Sequence, residues 1–167
     1  MKKYCLYKSP IGILCIGEEN GRITNIHLQR EETYDVSMEK DQQLSALLRE
    51  ACTQLTEYFQ GKRKQFDLPL GYEGTAFQQR VWDELQKIPY GETRSYEDIA
   101  VGAGNPKAQR AVGQANNRNP IMIVVPCHRV IHKNGDISGY ACGVDTKRYL
   151  LELEKGKMSK SAPNPEN

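Results

Sequence analysis

The five cysteines, Cys5, Cys15, Cys52, Cys127 and Cys142, include no Cys-x-x-Cys pair, and their spacing fits no zinc-ligand pattern. An odd, scattered set excludes a disulfide framework and reads as reduced thiols, buried in the case of the first three. Convergence of Cys5, Cys15 and His27 across neighbouring strands is the one metal geometry the pattern offers, and no metal is expected. No apolar run approaches the roughly 20 residues of a membrane span. The basic start "MKKYCLYKSP" lacks the apolar stretch of a signal peptide. A cytoplasmic, intracellular protein with no membrane partner is expected. There is no internal repeat. Net charge is only +2 on 167 residues, too little to imply a nucleic-acid partner unaided. What is present, 38% hydrophobic and 26% charged residues, is a soluble globular composition sized for one domain or two small lobes.

One absence is local. From Ile99 to Gly135 there is no Asp or Glu, while Lys107, Arg110, Arg118, Arg129 and Lys133 give +5, leaving −3 for the rest of the chain. Such a region suits a polyanion, or is an ordinary basic face.

The first 28 residues hold short β-prone runs, "YCLY", "GILCIGEE" and "RITNIHL", with Glu19 to Gly21 as a hairpin turn. Asp41 to Phe59 reads as a helix with Leu44, Leu47, Leu48, Ala51, Cys52, Leu55, Tyr58 and Phe59 on one face. The basic connector that follows places a lobe boundary near residues 70–74. Phe77, Val81, Leu85 and Ile88 form the buried stripe of a helix that ends before Pro89. Ser95 with Asp98 is a capping box for a short helix that stops at "GAG". Asn105 with Pro106 predicts the start of the next, so the pair reads as a helix-turn-helix. A last helix runs from Asp145 to about Lys155, with Tyr149, Leu150 and Leu153 as its apolar positions. At about 100° per residue, Ala108, Ala111, Val112 and Ala115 of the second paired helix turn inward. Gln109, Arg110 and Gly113 then face outward. A mid-helix glycine costs roughly 1 kcal/mol against alanine. It serves either the close approach of a nucleic-acid groove or nothing beyond the surface, and the wheel leaves both open.

The most informative stretch is "NPIMIVVPCHRVIHKNG", Asn119 to Gly135. The apolar run Ile121–Val125 reads as a buried strand that surfaces at Pro126, where Cys127, His128 and Arg129 follow at once. A free thiol has a pKa near ~8.5, and only its thiolate is a good nucleophile. His128 can assist, directly or through water, if Pro126 bends the chain, since strand neighbours otherwise face apart. The imidazole also needs an acceptor to fix its tautomer, and Glu152 or Glu154 is the right type. A buried structural cysteine beside a solvent-facing histidine is the alternative that the dipeptide alone leaves open.

"VVPCHRVI" together with "SYEDIAVGAGNPKAQRAVG" closely resembles the O6-alkylguanine-DNA alkyltransferase family, the methylated-DNA–protein-cysteine methyltransferases of direct-reversal repair. The resemblance covers about residues 75–155. "SPIGIL" and Asn119–Pro120 fit as well, and the first 70 residues match the smaller lobe more loosely. It implies an α/β (α+β) fold with a strand-rich, ribonuclease H-like lobe over residues 1–72. A helical DNA-binding and alkyl-acceptor domain with a winged helix-turn-helix would span 73–155, and a disordered tail 156–167.

By the same resemblance Cys127 accepts the alkyl group, His128 is the base acting through a water, Glu154 orients it, and Asn119 braces the turn. Tyr96 presses the target phosphate and rotates the base outward, and Arg110 takes its place in the stack. Ser95, Gln109, Gly113, Lys107 and Arg118 complete the DNA contacts, with Tyr140 and Cys142 at the base pocket. The implied partner is duplex DNA bearing O6-alkylguanine, with O4-alkylthymine a further candidate, approached from the minor groove without sequence preference by a monomer. The expected reaction is single-turnover, irreversible and free of cofactor and metal. A non-catalytic damage sensor, a Cys-His hydrolase and a plain helix-turn-helix regulator are the competing readings. Cys142 departs from the glycine usual in the family. The zinc cluster of animal members does not map onto Cys5 and Cys15. Members that cannot transfer alkyl groups carry tryptophan at the reactive position, which here is cysteine.

Overall fold

The computed structural model describes residues 2–29, 44–137 and 139–156. These divide into two compact units, one ending at Tyr72 and the other beginning at Glu73.

In the first unit β1 (Lys3–Ser9), β2 (Gly12–Glu19) and β3 (Arg22–Leu28) form an antiparallel sheet in that order. The β2–β3 turn falls at Asn20–Gly21, both at positive φ, the conformation a two-residue hairpin demands. Helix α1 (Ala46–Phe59) packs on the sheet through Leu48, Ala51, Leu55 and Tyr58. It starts at Ser45, whose Oγ accepts from Leu48 N at 3.1 Å. The helix expected from Asp41 is thus present from Ala46, and residues 41–43 lie outside the described residues. The register sets Cys5 opposite Ile16, and Cys15 opposite Leu6 and His27. Cys5 points at α1, its Sγ 3.8 Å from that of Cys52, so Cys15 and His27 take the other face. The Cys5–Cys15–His27 trio does not converge.

The second unit opens with α2 (Ala76–Gln86), held by a Thr75–Gln78 capping box and buried through Val81, Trp82 and Leu85. The Trp82 indole N–H donates to Ala115 O at 2.9 Å, tying α2 to the helix that carries Ala115. Strand β4 (Arg94–Ser95) leads into α3 (Tyr96–Gly102), capped by the reciprocal Ser95–Asp98 pair at 3.1 and 2.9 Å. Helix α4 (Gln109–Asn117) follows, and α3 packs on α4 as the helix-turn-helix. Its start differs from expectation. Asn105 does not cap it; Asn105 to Ala108 form a turn closed by Ala108 N→Asn105 O at 3.0 Å, with Pro106 at the second position, which its fixed φ also suits. Ala111 is exposed rather than inward, because the short helix packs through Val112, Ala115 and Asn116.

The apolar run 121–125 is not a strand. It is a tight turn bridged at Met122 and Val125, with Ile123 at φ 73. A β-branched residue there is strained. Burial of its side chain (1% exposed) and the amide of Asn119 hold it in place. Asn119 Nδ2 donates to Val125 O at 2.7 Å and its Oδ1 accepts from Ile121 N at 3.0 Å. Pro126 then leads into one 3-10 turn, Cys127–Arg129, and β5 (Val130–Ile131) pairs parallel with β4. That small ladder sews the exit of the cysteine segment to the entry of the helix-turn-helix. Helix α5 (Val144–Glu154) buries Lys147, Tyr149, Leu150, Leu153 and Glu154. The tail expected to be disordered lies, from residue 157 on, outside the described residues. No helix among the described residues is long and apolar enough to cross a membrane.

Candidate active site

The 3-10 turn resolves the problem that adjacent residues on a strand face apart. Cys127 and His128 are both buried, 5% and 0% exposed, and the imidazole reaches α5. His128 Nε2 donates to Glu154 Oε2 at 2.5 Å. Of the two acidic residues the last helix offered, Glu154 is the partner. Arg129 shares it, with Nε on Oε1 at 2.7 Å and Nη2 on Oε2 at 3.1 Å, and its Nη1 donates to Ile88 O at 2.7 Å. Gly91 N adds a fourth donor at 3.2 Å. Burial pushes the Glu154 carboxyl up, but the His128 hydrogen bond and charge and the Arg129 guanidinium outweigh it and hold it well below the usual carboxylate range. His128 goes the other way: burial lowers it, and the Arg129 and Lys147 charges add to that against the pull of Glu154. The stable pairing is therefore an ionised Glu154 beside a neutral imidazole that carries its proton on Nε2. Nδ1 is left as a bare lone pair, buried and without a partner.

Cys127 sits in a polar shell. Its thiol lies 3.6 Å from the Tyr140 hydroxyl, to which it donates. Burial raises its pKa, and the hydrogen-bonding groups of Asn119 and Tyr140 and the charge of Lys147 work to lower it. Lys147 is itself fully buried, its Nζ donating to Val130 O at 2.6 Å and lying 5.6 Å from the Tyr140 ring centroid. Burial lowers its pKa, and the Cys127 and Asp136 charges favour its charged form. Neither Lys147 nor Arg129 was expected in the site. Arg129 was read as part of the basic stretch, and its charge is spent on Glu154. Lys133 likewise pairs with Glu97. Lys107, Arg110 and Arg118 remain exposed along α4.

Five residues of the expected DNA contact set, Ser95, Tyr96, Gln109, Arg110 and Gly113, line one open groove of about 410 Å³. Gly113 faces the Tyr96 ring, which a Cβ at that position would meet at 3.9 Å. Tyr96 also packs on His132, ring centroids 4.9 Å apart. Cys127 does not line the groove, but Gly139 does, and the next residue, Tyr140, touches the thiol. Lys107 and Arg118 flank the two ends of α4. Cys142 is half-buried, its Sγ 3.9 Å from Met122 Sδ.

A helix-turn-helix with an arginine-bearing groove, joined by a short ladder to a buried Cys-His-Glu set, defines a nucleic-acid-directed thiol protein. The comparisons make this specific. Residues 76–156 match the DNA-binding domain of 6-O-methylguanine DNA methyltransferase, and residues 2–72 match its ribonuclease-like domain. The chain belongs to that family. It is 52% identical to a methylated-DNA–protein-cysteine methyltransferase of Methanosarcina acetivorans, over 90% of this chain and 97% of that one. The constitutive enzyme of Bacillus subtilis is 49% identical over 93% and 96%. The O6-methylguanine methyltransferase of Mycobacterium tuberculosis superposes with a TM-score of 0.83 at 46% identity, over 96% of both chains. A DNA complex of the mycobacterial protein gives 0.81 at 42%, over 95% and 96%.

Proposed function

We propose that this protein repairs DNA by direct reversal, moving the alkyl group of O6-alkylguanine in a duplex onto Cys127 and keeping it. The observation that carries the chemistry is the buried neutral His128, next in the chain to Cys127, clamped on Nε2 by Glu154 and without a partner at Nδ1. The alkylated oxygen lies inside a stacked base, so the nucleotide must leave the helix, at a cost of a few kcal/mol that is smallest for a poorly paired base. Arg110 fills the gap, Tyr96 presses on the phosphate, and Lys107 and Arg118 hold the backbone with a salt-dependent, sequence-tolerant affinity. Helix α4 enters the minor groove.

The Cys127 proton passes through a water to His128 Nδ1. The imidazolium is stabilised by Glu154. The sulfur then attacks the alkyl carbon, forming S–C as C–O6 breaks, and the electron pair leaves on guanine, steadied by a hydroxyl such as that of Tyr96. Guanine recovers a proton from this donor or from solvent. The product is a thioether with no easy hydrolytic exit, so each molecule acts once. It acts as a monomer, without cofactor, in the cytoplasm, or in the nucleus of a cell that has one. The N-terminal unit is the smaller lobe and the C-terminal unit both binds DNA and accepts the alkyl group.

Incubation with a duplex carrying O6-methylguanine, followed by intact-mass measurement, tests this. One methyl gain on wild type and none on Cys127→Ala are expected. Multiple turnover would contradict it, and duplex binding with no mass gain would mark a damage-binding protein instead.

A further inference from the structure

Two buried side-chain polar atoms among the described residues have no partner, and both belong to side chains on or hydrogen-bonded to the Cys127–His128 segment. One is His128 Nδ1. The other is Oδ1 of Asn116, a residue 2% exposed at the end of α4. Asn116 Nδ2 donates to Cys127 O at 3.2 Å. That carbonyl can only accept, so it fixes which end of the amide faces it, and Oδ1 is the end left over. The carbonyl is also the acyl half of the peptide that leads into His128. The two orphan acceptors therefore flank a single peptide bond.

A water that relays a proton from a thiol to an imidazole has two hydrogens and needs two acceptors. His128 Nδ1 takes one. Buried waters make about three hydrogen bonds, and a second hydrogen left without an acceptor costs about 1–3 kcal/mol. It would also let the water turn its hydrogens toward the sulfur. We propose that Asn116 is a positioning residue: its Oδ1 accepts the second hydrogen of the relay water, which locks the water with its lone pair toward the Cys127 thiol. The three bonds are then complete. With the thiol hydrogen turned from the Tyr140 hydroxyl to the water, the water accepts from Cys127 and donates to His128 Nδ1 and to Asn116 Oδ1. On transfer, the S–H bond breaks as the water takes that proton and gives one of its own to Nδ1, so the water is unchanged and the charge pair is thiolate and imidazolium. The same side chain thus holds both the nucleophile's carbonyl and the water that deprotonates it. This rests on the alkyl-transfer reading above.

The experiment is a cycle of wild type, Asn116→Leu, His128→Gln and the double variant. Single-turnover transfer from an O6-methylguanine duplex is followed from mildly acid to alkaline pH, with duplex affinity and melting temperature measured alongside. Asn116→Leu should slow transfer roughly tenfold near neutral pH, the worth of one lost hydrogen bond in this setting. The gap should close at alkaline pH, where the thiol ionises without help. The double variant should be no slower than His128→Gln alone. Slowing by the same factor at every pH, or losses that multiply in the double variant, would overturn the role. If the leucine variant does not fold, Asn116→Ala, which also lacks an acceptor, carries the same two readouts. A wild type that gains no alkyl group would sink the functional reading itself. A wild type that transfers while the cycle multiplies would sink only this inference.

Discussion

Both units of the molecule bury thiols. Cys5 and Cys127 are 1% and 5% exposed, nearly equal depths. Cys5 has around it the sheet, α1 and the Cys52 thiol, and its pKa is driven up by the hydrogen bond with Cys52 and by burial. Cys127 meets the same desolvation, but Tyr140, Asn119 and Lys147 oppose it, and an ionised carboxylate lies one imidazole away. Burial alone makes a thiol inert. Burial inside a set of fixed dipoles and one paired charge network makes it a reagent that water cannot compete for.

The sharpest way to break this contrast is to strip the network. Glu154→Gln leaves Arg129 as an uncompensated buried cation. Breaking a buried pair typically costs about 3–5 kcal/mol. The variant's urea midpoint should fall by a corresponding amount, and alkyl transfer should drop at least roughly a hundredfold. Cys5→Ala should change neither by a comparable amount. If the two variants behave alike, the distinction between the thiol shells is wrong.

A second test sets the surfaces of the two units against each other. Arg110→Ala should cut transfer on duplex DNA by roughly ten- to a hundredfold while leaving the melting temperature unchanged, since the side chain is exposed. Lys62→Ala, on the exposed connector of the N-terminal unit, should stay within about twofold. Equal losses would spread the DNA contact over both units.

Acid should separate the units next. An unfolded His128 gains a proton below its ordinary 6.5, whereas the folded site refuses it until lower pH. Stability therefore falls as pH drops below 6.5, by up to about 1.4 kcal/mol per unit. Glu154, held below its ordinary 4.5, extends the loss in stronger acid. Melting curves of wild type should slope downward below pH 6.5. Those of His128→Gln should be flatter, and amide exchange should quicken first in the C-terminal unit.

The smallest effect is expected at Gly113. An added Cβ would meet only the Tyr96 ring, at an ordinary 3.9 Å. Gly113→Ala should therefore stabilise α4 by about 1 kcal/mol or less. If it also slows transfer on duplex DNA, the bare helix face is there for the groove; if not, the glycine is incidental.

Local signals in the sequence were read well. The Asn20–Gly21 turn, the Ser95–Asp98 box and the buried stripes of α1 and α5 each follow from a few neighbouring residues. The helical wheel put Arg110 and Gly113 on the open face, and both line the groove. What failed was anything decided by distant partners. Ile121–Val125 has the composition of a strand, yet a side chain two positions upstream folds it into a turn. Asn105–Pro106 suits a helix start and a turn equally, and the packing of α4 chose the turn. Arg129 counted only as one charge of the basic stretch and Lys147 carried no signal, because nothing near them in sequence reveals a buried carboxylate or a buried carbonyl. Asn116 carried no signal at all, since its meaning lies in a peptide eleven residues away.

The carboxylate of Glu154 gathers its donors from residues 91, 128 and 129, the first of them sixty-three positions earlier in the chain. While the protein is being made, the ribosome releases the thiol well before the group that orders its imidazole. Until helix α5 has emerged and docked, the newborn chain therefore holds its sulfur and imidazole without the carboxylate that fixes the ring's tautomer.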